Sequence, residues 1–79
     1  MEMESFVKNF AAQFDETEAA KFTSKTEFRS IEEWSSIIAL SIIAMVDEEY
    51  NVILKGDDIK NSVTIGDLYN IVASKLTNL

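Results

Sequence analysis

The chain has 79 residues, which suits one domain over residues 1–79 and leaves no room for an enzyme with a cleft between two lobes. Hydrophobic residues make up 47% and charged residues 27% of it, so it carries enough apolar surface to fold. It has no histidine and no cysteine, which removes the usual general base, the soft metal ligands and the thiolate nucleophile. We therefore expect neither self-contained catalysis nor a metal site.

Seven basic residues stand against fourteen acidic ones, giving a net charge of −7. Such a charge repels nucleic-acid phosphates and anionic membrane surfaces and attracts basic protein patches, so we expect protein partners only. The apolar run at residues 37–46 has ten residues, whereas a bilayer span needs about 20. With no disulfide framework and no signal peptide in the charged start MEMES, the expectation is a cytoplasmic monomer.

The first element expected is a helix over about residues 2–14, because apolar residues from Met3 to Phe14 recur at steps of three and four. A long polar loop follows at residues 15–35. We expect its isolated apolar side chains, above all Phe28 and Ile31, to hold it against the core, with a short helical turn inside it.

The second expected helix covers about residues 37–49 and is apolar around most of its circumference, which predicts a central, buried helix capped by a serine at 35 or 36. A short helix is expected at residues 57–60. A last helix is expected at residues 65–76, where Thr64 and Asp67 have the spacing of a helix cap. The fold class is therefore all-α: a small antiparallel bundle of three main helices and one short helix, with a long first loop.

Polar side chains with the power to carry chemistry are few. The acidic residues 47–49 and 57–58 lack the spacing of a calcium loop and are best explained as a solvated face. What remains is Glu33-Trp34-Ser35-Ser36-Ile37, a polar turn that ends in two hydroxyls at the start of the most apolar helix.

Together with Val46-Asp47-Glu48-Glu49-Tyr50-Asn51-Val52 and Ser62-Val63-Thr64-Ile65-Gly66-Asp67-Leu68, this turn resembles the acyl carrier protein family over essentially the whole chain. In that family an Asp-Ser-Leu motif opens the second helix, an acidic-acidic-aromatic sequence closes it, and a Thr-Val or Thr-Ile pair opens the last helix. Counted back from Tyr50, the modified serine of the family corresponds to Ser36, and Ile37 stands for the leucine.

The resemblance implies a carrier that catalyses nothing itself. A phosphopantetheinyl transferase would attach 4′-phosphopantetheine from coenzyme A to Ser36, with Ser35 and Ile37 beside it, and the terminal thiol would hold a fatty acyl, polyketide, aminoacyl or other group as a thioester for acyl-transferring or acyl-synthesising enzymes. The core side chains expected to part around the acyl group are Leu40, Ile43, Val46, Tyr50, Leu54, Ile59, Leu68 and Ile71. The residues expected to dock partners with basic or apolar patches are Ile38, Ser41, Asp47, Glu48, Asp57 and Asp58.

The chain departs from the family in two places. Ser35 stands where the family has aspartate, which retains a possible cap but loses a charge that transferases meet. The exposed face of the second helix is expected to carry Ile38 and Ser41 rather than acids, which predicts more apolar docking. An alternative function is a carrier-like protein-interaction module in which both serines serve only the helix start.

Overall fold

The computed structural model describes residues 2–77. Within these residues the chain forms α1 (Met3–Ala11), α2 (Ser36–Tyr50), α3 (Gly56–Lys60) and α4 (Ile65–Thr77), with two short 3₁₀ turns, Ala19–Lys21 and Phe28–Ser30, between α1 and α2. α1 packs against α2 and α4, and α3 packs against α4. The expected all-α class, with three main helices, one short helix and a long first loop, is confirmed.

α1 is shorter than the spacing of its apolar residues predicts. The helix ends at Ala11, and the backbone then tightens, with the Gln13 and Phe14 amides donating to the carbonyls of Phe10 and Ala11 at 3.1 and 3.0 Å. Phe14 nevertheless stays buried. The apolar spacing up to residue 14 therefore predicts correctly that Phe14 is buried, but it does not predict where the helix ends.

α2 begins and ends at residues suited to those positions. The Ser35 side chain accepts a hydrogen bond from the Ile38 amide, which makes Ser35 the N-cap. At the other end Asn51 adopts the left-handed conformation (φ 55°), and its amide donates to the Asp47 carbonyl. Asparagine tolerates this backbone region better than most residues, so it closes the helix with little strain.

α4 starts at the cap that the sequence predicts. The Thr64 hydroxyl accepts from the Asp67 amide at 3.1 Å, and the Asp67 carboxylate accepts from the amides of Thr64 and Val63, both at 3.0 Å. The hydrogen bonds that the carboxylate accepts from the Thr64 and Val63 amides lower the pKa of Asp67, against a smaller opposing contribution from desolvation. The reciprocal cap explains why this helix starts at the residue expected.

The first loop belongs to the core. Phe22 and Phe28 are buried, Ile31 and Trp34 are half-buried, and Phe28 has no exposed surface at all. The Phe28 ring lies 5.5 Å from that of Phe10 and 5.0 Å from that of Trp34, between centroids. The expected attachment of the loop through Phe28 is confirmed, and Phe22 adds a second buried ring.

The same loop is bonded to the start of α4. The Ile65 amide donates to the Thr26 carbonyl at 3.0 Å, and the Gly66 amide donates to the Ser24 carbonyl at 2.8 Å. A Cβ atom on residue 66 would lie 2.9 Å from that carbonyl oxygen, so the close approach requires glycine. In the described residues 2–77, none of the helices combines the length and the apolar character that crossing a bilayer takes.

Candidate functional site

The two serines at the start of α2 have different surroundings. Ser35 lies just outside the helix, and its Oγ accepts from the Ile38 amide at 3.3 Å. Ser36 is the first helical residue and is exposed. Among residues 2–77, none forms a hydrogen bond with the Ser36 hydroxyl. The cap is therefore Ser35, and the Ser36 hydroxyl faces solvent.

The electrostatic environment of Ser36 favours a negative group. α2 has 15 residues, and its first turn contains no acidic side chain. The first amides of a helix lack intrahelical acceptors and carry the positive end of the helix dipole. A phosphate ester on the Ser36 oxygen would lie beside these amides, which stabilise its charge.

The residues just before the serines are held by the first loop. The Trp34 ring stacks on Phe14 at 6.4 Å between centroids, and the Trp34 amide donates to the Ile31 carbonyl at 3.0 Å. The Glu33 carboxylate accepts from the Asp15 amide at 2.7 Å, the Glu16 amide at 3.0 Å, and the Thr17 amide and hydroxyl at 2.9 Å each.

These contacts set the protonation of Glu33. Partial desolvation, the largest single contribution, raises the pKa of its carboxyl. The hydrogen bonds from the Asp15 amide, the Thr17 hydroxyl, and the amides of Glu16 and Thr17 together outweigh it, so the pKa lies below its ordinary value. Glu33 is therefore a carboxylate at neutral pH.

Exposed apolar side chains follow Ser36 on α2. Ile37 is 73% and Leu40 65% exposed. The expectation that α2 is buried on all sides and that Leu40 lies in the core is therefore wrong. Ile42, Met45 and Val46 are the buried residues of this helix, because the core covers one side of it and leaves Ile37 and Leu40 on the other.

The expected exposed face of α2 is also corrected. Ile38 is half-buried and packs against the core, and Ser41 is half-buried as well. Ile37 and Leu40 occupy the solvent side instead. A helix that is apolar around its circumference gives no sequence signal for which side faces water. The sequence therefore does not predict that Ile37 and Leu40, rather than Ile38 and Ser41, form the exposed side.

The other residues expected around an acyl group lie in the core. Val46, Leu54, Ile59 and Leu68 are buried, whereas Ile43, Tyr50 and Ile71 are half-buried. The Tyr50 hydroxyl accepts from the Asn9 side chain at 2.8 Å. Concave sites of about 540 and 590 Å³ lie against α1 and the first loop, and one of about 400 Å³ lies on α4 beside Ile71 and Asp58.

The acidic residues expected to dock partners divide into two groups. Asp47, Glu48 and Asp57 are exposed. Asp58 is half-buried and engaged within the fold, since its carboxylate accepts from the Lys55 amide at 2.9 Å and lies 3.6 Å from the Lys75 ammonium. Three of the four are thus available to a partner, and no grouping of acidic side chains suited to a metal ion occurs in residues 2–77.

Sequence reasoning did not find Glu33, whose partners lie 16 to 18 positions earlier in the chain. No local pattern predicts such a contact. It also missed the exposed Ile53 and Val63, at 72% and 49%.

Comparison of the chain with protein-family models, curated proteins and solved structures finds no match in any of the three. What the geometry defines by itself is a small all-α protein with a solvent-facing serine at the first residue of its longest helix in residues 2–77.

Proposed function

We propose that this protein is an acyl carrier. A phosphopantetheinyl transferase attaches 4′-phosphopantetheine from coenzyme A to the Ser36 oxygen, and the terminal thiol of that arm holds acyl groups as thioesters. The observation that carries the proposal is the position of Ser36. It is exposed and is the first residue of α2, and its hydroxyl is not needed for capping because Ser35 caps the helix.

The chemistry matches what the chain has and lacks. The amides at the start of α2 favour the phosphodiester charge, and the arm supplies the thiol that a cysteine-free chain does not encode. The reactive sulfur belongs to the cofactor, and the protein presents it. The protein therefore carries intermediates between enzymes and catalyses no step, whether the cargo is a fatty acyl, polyketide, aminoacyl or other group.

Partners dock on the exposed side of α2 next to the arm. Ile37 and Leu40 offer apolar contact close to Ser36, and Asp47 and Glu48 add negative charge at the far end of the helix. A partner enzyme complementary to this side of α2 has an apolar patch with lysine or arginine residues beside it. Apolar contact supplies most of the affinity and charge mainly raises the rate of encounter, so added salt is expected to slow association more than it speeds dissociation.

The acyl group is accommodated where the core side chains of α2, α3 and α4 meet. Val46 of α2, Leu54 just before α3 and Leu68 of α4 all belong to the buried core, so shelter for an acyl chain requires these side chains to move apart. An apolar guest replaces the contacts that are lost, which keeps the cost of opening low. The carrier acts as a monomer in the cytoplasm and binds neither nucleic acid nor membrane.

The test is intact-mass measurement after incubation with a broad-specificity phosphopantetheinyl transferase and coenzyme A. We expect a gain of one phosphopantetheine group in the wild-type chain and in Ser35→Ala, and no gain in Ser36→Ala. Ser35→Asp, which restores the aspartate of the carrier family, is expected to load faster than the wild type. An unmodified wild-type chain, or a mass gain in Ser36→Ala, would refute the proposal.

A second candidate function rests on the same exposed side chains. Two large apolar residues, 73% and 65% exposed on adjacent turns, are also what a protein-interaction module without a cofactor presents. Such a module binds its partner equally well with Ser36→Ala and loses binding with Leu40→Ser. A carrier also loses partner binding with Leu40→Ser, so the separating variant is Ser36→Ala: it abolishes loading and function in a carrier and leaves an interaction module unaffected.

A further inference from the structure

The Glu33 carboxylate forms an unusually dense set of hydrogen bonds for a side chain on a small domain. One oxygen accepts from the Asp15 amide, and the other accepts from the Glu16 amide and from the amide and hydroxyl of Thr17. Three consecutive backbone amides therefore point at a single carboxylate. Such an arrangement binds an anion through fixed dipoles.

These bonds join two segments that meet at the start of α2. The amides belong to the chain just after α1, and Glu33 lies three residues before Ser36. The neighbouring Trp34 ring packs on Phe14, one residue before Asp15, with centroids 6.4 Å apart. Two adjacent residues, one charged and one aromatic, are thus fixed to the same short stretch of chain.

The hydrogen bonds to Glu33 form in a region that is already rich in negative charge. Glu16, Glu18 and Glu32 line the same concave surface as Glu33, and Lys21 is the basic side chain on it. Carboxylates repel one another, so the hydrogen bonds must offset this repulsion as well as the loss of hydration. A glutamine at this position would present an NH₂ group to amides that can only donate, so only a carboxylate satisfies all four donors.

We infer that Glu33 is a positioning residue for the modification of Ser36: it fastens residues 15–17 to the segment that leads into α2 and so holds the Ser36 hydroxyl in one place. This inference rests on the proposed carrier function. The transferase then meets an ordered helix start and does not have to immobilise the segment as it binds, which lowers the entropic cost of forming the complex.

The experiment compares Glu33→Gln with Glu32→Gln. The second variant removes the same charge from the adjacent, exposed residue, which forms no hydrogen bond within residues 2–77. Two readouts are measured on purified full-length chains: amide hydrogen exchange by NMR, and steady-state loading by the transferase with coenzyme A. We expect Glu33→Gln to speed exchange at the hydrogen-bonded amides of residues 15–17, 34 and 38 by at least about tenfold. The glutamine keeps one acceptor oxygen, turns an NH₂ group toward the remaining donor and lacks the charge that strengthens these hydrogen bonds.

In loading, Glu33→Gln is expected to raise the KM for the carrier by roughly fivefold and to leave kcat within about twofold, because the chemistry is done by the transferase. Glu32→Gln is expected to match the wild type in both readouts. If the wild type loads and Glu33→Gln has an unchanged KM, the positioning role is refuted while the carrier function stands. If the wild type does not load, the carrier function fails and the positioning role fails with it.

A loss of stability alone does not produce this pattern. Gly66→Ala perturbs the middle of the first loop, where an added Cβ meets the Ser24 carbonyl. Loading of Gly66→Ala is measured at a temperature where its free energy of unfolding equals that of Glu33→Gln. Under that condition Gly66→Ala is expected to keep the wild-type KM. An equal rise in KM for both variants would show that instability, and not the fastening at Glu33, governs loading.

Discussion

Replacing each serine at the start of α2 in turn is expected to separate helix stability from modification. Ser35 accepts the Ile38 amide through its side chain, whereas Ser36 accepts nothing within residues 2–77. Ser35→Ala therefore leaves an amide without its partner, and Ser36→Ala does not. The two variants differ by one position and remove the same atom, so each is the matched control for the other.

The size of the effect follows from the geometry of the cap. Losing an N-cap costs about 0.5–2 kcal/mol, and the 3.3 Å distance at an exposed helix end places Ser35→Ala in the lower half, about 0.5–1 kcal/mol. For a domain of this size that lowers the thermal midpoint by roughly 2–8 °C. Ser36→Ala is expected within about 0.5 kcal/mol of the wild type, because alanine has the higher helix propensity.

The assay is urea denaturation followed by circular dichroism and by the fluorescence of Trp34, the single tryptophan. A chain of 79 residues has a total stability of about 4–12 kcal/mol, so both variants remain folded and the difference is measurable. The reasoning would be refuted if Ser36→Ala lost more stability than Ser35→Ala, since the assignment of cap and free hydroxyl would then be reversed.

Four further predictions concern other parts of the molecule. Phe28→Leu is expected to lower the free energy of unfolding by about 1–3 kcal/mol in urea melts, because it leaves a cavity at a fully buried ring; an effect below about 0.5 kcal/mol would mean that the first loop is not part of the core. Gly66→Ala is expected to destabilise by about 1 kcal/mol, since overpacking against the Ser24 carbonyl at about 2 kcal/mol exceeds the gain in helix propensity of about 1 kcal/mol; a stabilised variant would contradict this contact. The lowered pKa of Glu33 means that its contribution to stability is present above the unfolded value of about 4.3 and disappears as the pH falls through the lower folded value. The stability difference between wild type and Glu33→Gln should therefore shrink on acidification below about pH 4.3, and a difference that grows there would contradict the carboxylate's role. Leu40→Ser is expected to leave the melting temperature within about 3 °C of the wild type, because an exposed residue is replaced, yet to weaken partner-enzyme binding by roughly tenfold in calorimetry; unchanged binding would exclude this side of α2 as the docking surface.

The sequence predicts a helix boundary where the residues that set the boundary are close neighbours in the chain. The reciprocal cap of Thr64 and Asp67 and the serine at 35 lie within a few residues of the helices they start, so the beginnings of α4 and α2 follow from neighbouring side chains. The end of α1 does not, because Phe14 continues the helical spacing of buried residues after the helical hydrogen bonds have stopped.

The site itself is only partly predictable in the same way. The position of Ser36 follows from the boundary of α2, but the exposure of Leu40 depends on where α1 crosses that helix, and the contacts of Glu33 join segments that are distant in sequence. Both depend on how the first loop folds back on the core. A single sequence carries no periodic signal for that path, which is set by buried rings such as Phe22 and Phe28.

Peptide mapping of the loaded protein tests the central claim most directly. After incubation with the transferase and coenzyme A, the chain is digested and the peptide containing Ser35 and Ser36 is fragmented by tandem mass spectrometry. The carrier function predicts the phosphopantetheine group on the Ser36 oxygen in nearly every modified molecule. A group found on Ser35 or another hydroxyl, or a peptide that stays unmodified, would contradict it.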